Sequence, residues 1–461
     1  MQDLKYLTQK KRFSGFGFSK NSSANMRLTA TGESISRELR LPTGKRRARL
    51  KQLLLFLAIV LALVPVCLLV LEKAPQATKF VTDRSSTSRT AESKSAAAVK
   101  PPPASPFQIA GTLLDSATAS GEQLTAKTEA GDTLHYTIRG DLQKRVHDFM
   151  ANNKVPYGVF VAIEPATGRI LAMTAHSSVD PGWVHNAFFE LYPMASLFKI
   201  ITASAALEHG KMTPETVIQF RGRHTSENPR YWDASPKGKN NSLTVSYAMA
   251  KSINPVYGRV AADIAGKSSV MESVRKFGFN QVLLPGIPAK ESRAGEPRDN
   301  HELMLMGAGL NHEVKISPLH AAAMMAAIAN GGRMMSPGLT EKIVDARGTT
   351  RETHTPLEIR RLVSPETASS LTQMLSSTVI SGTGRKAFHD KRGRPRLDVE
   401  IAAKTGSING TDPRGHYSWF AAFAPVRNPR IALVALVINQ DRWKIKSTQV
   451  GEQALEEFFN K

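Results

Sequence analysis

Nineteen consecutive residues without a charge, LLLFLAIVLALVPVCLLVL at positions 53–71, divide this chain before anything else can be said of its fold. A helix needs roughly 20 apolar residues to cross the hydrocarbon core of a bilayer, so the run predicts a single transmembrane helix. Lys45, Arg46, Arg47, Arg49 and Lys51 stand directly before it. Lys and Arg favour the cytoplasmic side, which predicts an N-terminus inside and everything after Glu72 outside. A cleaved leader is the competing reading. It fits poorly, because 51 residues precede the run and Glu72-Lys73-Ala74 lacks a small-x-small cleavage pattern. The single cysteine, Cys67, lies inside the run, so the exported part has neither an intramolecular disulfide nor a thiol.

The formal net charge of +22 follows the same division. Residues 1–51 hold 13 Lys and Arg against 3 Asp and Glu, a net of +10, which leaves +12 for the other 410 residues. The exported excess is spread without an aromatic-interleaved basic motif and lies outside the membrane, which argues against a nucleic-acid partner. Residues 1–51 therefore read as a basic disordered cytoplasmic tail and 52–72 as the anchor. Residues 73–106, rich in Ser, Ala and Pro, read as a solvated linker. The alternation in FQIAG, GEQLTAKT and DTLHYTI predicts a small β-rich segment over 107–140. The main folded unit is expected over 141–461.

Within it, YGVFVAIE (157–164) and RILAMTA (169–175) are β-prone runs around the turn Pro165-Ala166-Thr167-Gly168. VEIAAKTGS (399–407), SWFAAFA (418–424) and RIALVALVI (430–438) predict three more strands. Between the two sets, Ser317-Pro318 and Ser364-Pro365-Glu366 open helices with a capping serine and a first-turn proline. The expectation is an α+β fold: an antiparallel five-stranded sheet built from both ends of the domain, flanked by helices, with an inserted all-helical subdomain.

Three short motifs follow one another: Ser196-Leu197-Phe198-Lys199, Ser252-Ile253-Asn254 and Lys404-Thr405-Gly406-Ser407. The chain supplies decoys, since Ser273-Val274-Arg275-Lys276 and Ser226-Glu227-Asn228 fit the first two patterns. Ser196 opens SLFKIITASAALEHG, where Leu197, Ile200, Ile201 and Leu207 recur at helical spacing, so it sits at a helix N-terminus. Backbone N–H groups there lack partners and can donate to a developing oxyanion. Lys199 lies one turn on along the same face, where a base can take the proton of an otherwise weak hydroxyl nucleophile. Ser273 has no comparable helix start before it. Ser252 follows a helical stretch, and Pro255 is expected to push Asn254 out of the α region so that both side chains project from a turn; Ser226 lies in a polar loop. Lys404 ends an apolar strand, and Gly406 permits close backbone approach by a ligand. Ordered motifs of this kind are those of penicillin-binding proteins and serine β-lactamases.

Residues from about 141 to 439 resemble the transpeptidase domain of penicillin-binding proteins. Besides the triplet, AIEPATGRILAM looks like the hairpin opening that domain, YPMASLFKIITASAALEHG like its nucleophile helix, and PLHAAAMMAAIANGG and GTGRKAF like its later segments. Ala195 stands where the family often has glycine, and Ser407 where it often has threonine. The resemblance implies a D,D-transpeptidase that acylates Ser196 with D-Ala-D-Ala stem peptides of peptidoglycan, or of its lipid-linked precursor, and is inhibited by β-lactams. It implies that Lys199 activates Ser196, Ser252 relays a proton toward the leaving nitrogen, and Asn254 holds the peptide backbone. Lys404, Thr405, Gly406 and Ser407 would bind the terminal carboxylate, with the Ser407 and Ser196 amides forming an oxyanion hole. Lys404 is expected to lower the pKa of Lys199 toward that of a usable base. No metal or cofactor is called for; the expected partners are the substrate, the bilayer and other wall-synthesis proteins.

The triplet alone leaves a D,D-carboxypeptidase or serine β-lactamase open, although no ExxLN motif follows Ser252. A penicillin sensor with a zinc protease domain fits less well. His301-Glu302 and His312-Glu313 lack the second histidine of HExxH, because Leu305 and Ile316 stand there.

Overall fold

The computed structural model describes residues 105–120 and 123–460. The expected tail, anchor and most of the linker lie outside the described residues; among those described, no helix is long and apolar enough to cross a membrane. The described chain opens on helix α1 (Pro106–Leu113). This corrects the strand expected for FQIAG: Ser105 accepts from the Gln108 backbone while the Gln108 side chain accepts from Ser105, a capping box with proline at the first turn. A short polar-apolar alternation carries less information than a helix start with both reciprocal bonds in place. Strand β1 (Thr118–Ser120), which none of the alternating runs covers, is followed by β2 (Gln123–Lys127) and β3 (Thr133–Arg139) in the runs GEQLTAKT and DTLHYTI, and then by α2 (Gly140–Asn152), which buries Leu142, Val146 and Met150 at four-residue spacing. β4 (Tyr157–Ile163) and β5 (Ile170–His176) form the expected hairpin.

Between β5 and the C-terminal strands run α3 (Phe198–Glu208), α4 (Val245–Lys251), α5 (Asn254–Arg259), α6 (Lys267–Lys276), α7 (Asn300–Ala308) and α8 (Pro318–Ala329). This insert is not all-helical. It also carries the hairpin Val217–Phe220 with Asn241–Thr244, and the strands β6 (Thr340–Val344) and β7 (Thr350–Thr353). β7 is exposed along its whole length, so no apolar run announces it, and β6 finds its other partner in β3, about 200 residues earlier in the chain. α9 (Pro365–Ile380) then leads to β8 (Ala402–Thr411), β9 (Arg414–Ala424), β10 (Ile431–Asn439) and α10 (Ser447–Phe459).

The main sheet has the order β8-β9-β10-β4-β5, antiparallel throughout and assembled from both ends of the domain as expected. All nine residues of β10 are buried because both faces are covered. α8 packs on one side of β10 and α10 on the other, with α2 beside α10 against β5. A second antiparallel sheet, β1-β2-β3-β6-β7, joins the segment before α2 to strands that follow the helices. β8 ends the main sheet at one edge, and the first turn of α3 packs against that edge.

Candidate active site

The chain reaches the edge of β8 through a sharp turn. Met194 donates to the Val314 carbonyl (2.9 Å), and Trp419 on β9 donates through Nε1 to the Pro193 carbonyl (2.9 Å), so the segment before Ser196 is pinned from two sides. Ala195 then adopts a φ of 53°, in the left-handed region that favours glycine. Glycine would take this conformation without the Cβ penalty that Ala195 carries. Ala195–Leu197 make one 3₁₀ turn that runs directly into α3, leaving Ser196 at the helix entrance and only 8% exposed. Two glycines clamp the turn. A Cβ built on Gly309, itself at φ +71°, would lie 2.2 Å from the Ala195 carbonyl oxygen, and one on Gly406 would lie 3.4 Å from the Ser196 nitrogen.

Lys199 is fully buried one turn into the helix. Its Nζ lies 2.8 Å from Ser196 Oγ, 2.9 Å from Asn254 Oδ1, and in hydrogen-bond contact with the Ala308 carbonyl. A neutral amine has two N–H bonds and one lone pair. With the two hydrogens directed at Asn254 and Ala308, the lone pair faces the Ser196 hydroxyl, which is the arrangement a general base needs. Burial holds the Lys199 pKa well below its ordinary value, and the charge of Lys404 adds to this. The order differs from that expected from the sequence, where Lys404 was the agent: desolvation in the helical interior leads.

Ser252 sits between α4 and α5 at φ 56°, ψ 45°. The chain leaves the helical region at Ser252 and Ile253, and Asn254 is the first residue of α5, not a turn residue as expected. Proline disfavours helical geometry before it as a tendency, but Pro255 occupies the first helical turn, where its missing N–H has no intrahelical acceptor to lose. Ser252 Oγ accepts from Lys404 Nζ (2.8 Å), which also donates to the Thr405 carbonyl (2.8 Å). Lys404 is fully buried, and burial pushes its pKa down to about 7. Asn254 donates through its backbone to the His224 carbonyl (3.1 Å) and through Nδ2 to the Ser226 carbonyl (3.3 Å), leaving the second Nδ2 hydrogen for another acceptor.

Along β8 the side chains alternate. Lys404 and Gly406 are buried, Thr405 is half-buried and Ser407 is exposed on the unpaired edge. Thr405 Oγ1 lies 2.6 Å from Thr383 Oγ1, a partner the sequence reading quoted within GTGRKAF without a role. The Ala308 carbonyl and Gly309 were also missed, since a main-chain acceptor leaves no side-chain signature. Ser196, Lys199 and Asn254 thus form one hydrogen-bonded group and Ser252 and Lys404 a second, linked by the charge of Lys404 acting on Lys199, with Thr405, Gly406 and Ser407 beside them on the strand. The decoy at Ser273 stays apart. Ser273 is buried within α6, and its one-turn lysine, Lys276, is paired on the surface with Glu272 (3.0 Å). Among the described residues, no cluster of three or more His, Cys, Asp or Glu is placed to hold a metal ion.

The family description "Penicillin binding protein transpeptidase domain" matches residues 158–460. The chain belongs to this family. Among curated relatives, the peptidoglycan D,D-transpeptidase PbpA of Mycolicibacterium smegmatis is 31% identical over 351 residues, 68% of each chain. PbpA of Mycobacterium tuberculosis is 30% identical over 350 residues, 68% of this chain and 69% of that one. The crystal structure of PBPA from M. tuberculosis superposes with a TM-score of 0.59 at 27% identity, covering 71% of this chain and 82% of its own. A ceftriaxone acyl-enzyme complex of the same protein gives 0.58 at 28% identity, covering 71% and 80%. This penicillin-binding domain therefore has relatives that form covalent acyl-enzymes with β-lactams.

Proposed function

We propose that this protein is a peptidoglycan D,D-transpeptidase working through a Ser196 acyl-enzyme. The observation that carries the reading is the Lys199 amine, buried, held by two oxygen acceptors and facing Ser196 Oγ at 2.8 Å. In the first step Ser196 Oγ attacks the carbonyl between the two terminal D-Ala residues, and Lys199 takes the hydroxyl proton. The tetrahedral oxyanion is met by the Ser196 and Ser407 amides. As the C–N bond breaks, a proton reaches the departing D-Ala nitrogen through Ser252, which Lys404 orients. Lys404, Thr405 and Ser407 hold the terminal carboxylate, Gly406 lets it come close to β8, and the free Nδ2 hydrogen of Asn254 takes a peptide carbonyl. In the second step an acceptor amine attacks the ester carbon, its proton leaves toward the same base, and Ser196 is released with a new C–N bond made.

The N-terminal apolar run and its preceding cations support a membrane tether with the catalytic unit facing outward, where stem peptides lie. The test is the fate of a D-Ala-D-Ala pentapeptide supplied with an acceptor amine and, separately, of a chromogenic cephalosporin. Cross-linked dimer with release of D-Ala supports transpeptidation. Exclusive trimming to tetrapeptide would make the protein a carboxypeptidase, and rapid turnover of the drug a β-lactamase.

A further inference from the structure

The decoy motif at Ser226 is not idle. Ser226 sits in the loop between the strand Val217–Phe220 and the short helix Pro229–Tyr231, and that loop supplies both backbone carbonyls that receive Asn254: His224 to its amide and Ser226 to its side chain. The loop is held by Trp232, which is fully buried and donates through Nε1 to Ser226 Oγ (3.0 Å). The indole packs against α5 at Gly258, one turn beyond Asn254. A Cβ on Gly258 would meet its ring atoms at 2.3 and 2.5 Å, so no side chain fits between them. On its other side Trp232 forms a small apolar cluster with Met304 and Ala308 of α7, and Ala308 is the residue whose carbonyl receives Lys199.

We propose that Trp232 is a positioning residue for acylation: wedged between α5 and α7, it holds in place the two oxygen acceptors that turn the Lys199 amine toward Ser196. The inference rests on Lys199 being the base of the proposed reaction and deepens that reading. One aromatic ring sets the separation of Asn254 Oδ1 and the Ala308 carbonyl, and also closes the interior behind them against water. Of the elements packed round Lys199, β8 brings the charged group that bears on it, Lys404; α5 and α7 bring the Asn254 amide and the Ala308 carbonyl. A looser wedge therefore changes both the aim of the amine and its desolvation.

The experiment measures the second-order rate of acylation by a fluorescent penicillin across pH, with thermal melting of each variant, on the full chain. Trp232→Leu is expected to lower the rate on the order of tenfold through misaligned groups. It should also move the acid limb of the pH profile up by roughly one unit as Lys199 regains solvent. Trp232→Phe, which keeps the bulk and loses the indole donor, and Ser226→Ala should show smaller losses of equal size, and their double variant no further loss. Phe279→Leu, a buried aromatic remote from the site, controls for stability: it should melt lower with the pH limb unmoved. A Trp232→Leu protein that melts lower but keeps the original pH limb overturns the proposal. Should that variant fail to fold, undiminished acylation rates in Trp232→Phe and Ser226→Ala overturn it equally. An unaltered chain that takes no label overturns the Ser196 reading, and this one with it.

Discussion

Lys199 and Lys404 are both sealed from water, yet the proposed reaction asks opposite states of them. Lys199 must be neutral to take a proton, so acylation should rise with pH through its depressed pKa. Lys404 must be charged to hold a carboxylate, and in the free protein it loses its proton at about 7. The kcat/KM for a carboxylate-bearing donor is thus expected to be bell-shaped, falling again above pH 7. A rate that climbs steadily to about pH 9 would exclude this division of labour. A third buried group bears on stability alone. His320 lies with Nδ1 2.6 Å from Ser292 Oγ and Nε2 2.8 Å from the Phe277 carbonyl, so it is held neutral, and burial pushes its pKa from 6.5 to about 4. The unfolded chain binds this proton first, so stability falls as pH drops from 6.5 toward 4, by up to about 3 kcal/mol. Urea unfolding over that range should show the slope, and His320→Gln should flatten it; equal slopes in the two proteins would remove His320 from the account.

At the scale of elements, the nucleophile turn depends on its neighbours' lack of side chains. Gly309→Ala would place a Cβ 2.2 Å from the Ala195 carbonyl and force the turn to move. The expected cost is about 1–3 kcal/mol of stability. Acylation should fall on the order of a hundredfold. Melting and labelling kinetics on one sample separate the two, and wild-type labelling would show that the turn tolerates displacement. The same elements show what a sequence discloses. β4, β5, β9 and β10 were legible because their apolar runs are covered on both faces and need no context. The three motifs that meet at the β8 edge stood out in the sequence because each pairs a reactive side chain with a turn or helix signal at fixed spacing. α1 was misread because Ser105 and Gln108 act through the backbone, β6 was missed because one of its partners is the distant β3, and β7 because it is exposed along its whole length. Asn254 was chosen over Asn228 on local turn signals, but its geometry was not foreseen: the turn is taken at Ser252, and the acceptors that fix it come from the loop around Ser226.

For the molecule as a whole, the topology ties the catalytic unit to residues before it. β3 lies at the centre of the second sheet, bonded on one side to β2 and on the other to β6, and it buries Leu134, Tyr136 and Ile138. A protein beginning at residue 141 would leave β6 with an open edge and its apolar neighbours bare, so it should aggregate. One beginning at residue 105 should fold and take label. Size-exclusion profiles of the two compare them directly, and a monomeric, labelled 141–461 fragment would show that the first strands are dispensable. The fold exists to bring a helix start, an inter-helix turn and a sheet edge together around one serine, and that claim can be read from a single adduct. Mass spectrometry of the protein treated with penicillin G should find one acyl group, on the peptide containing Ser196, absent in Ser196→Ala and retained in Ser273→Ala. An adduct mapped to Ser252 or Ser273, or persisting in Ser196→Ala, would contradict the account.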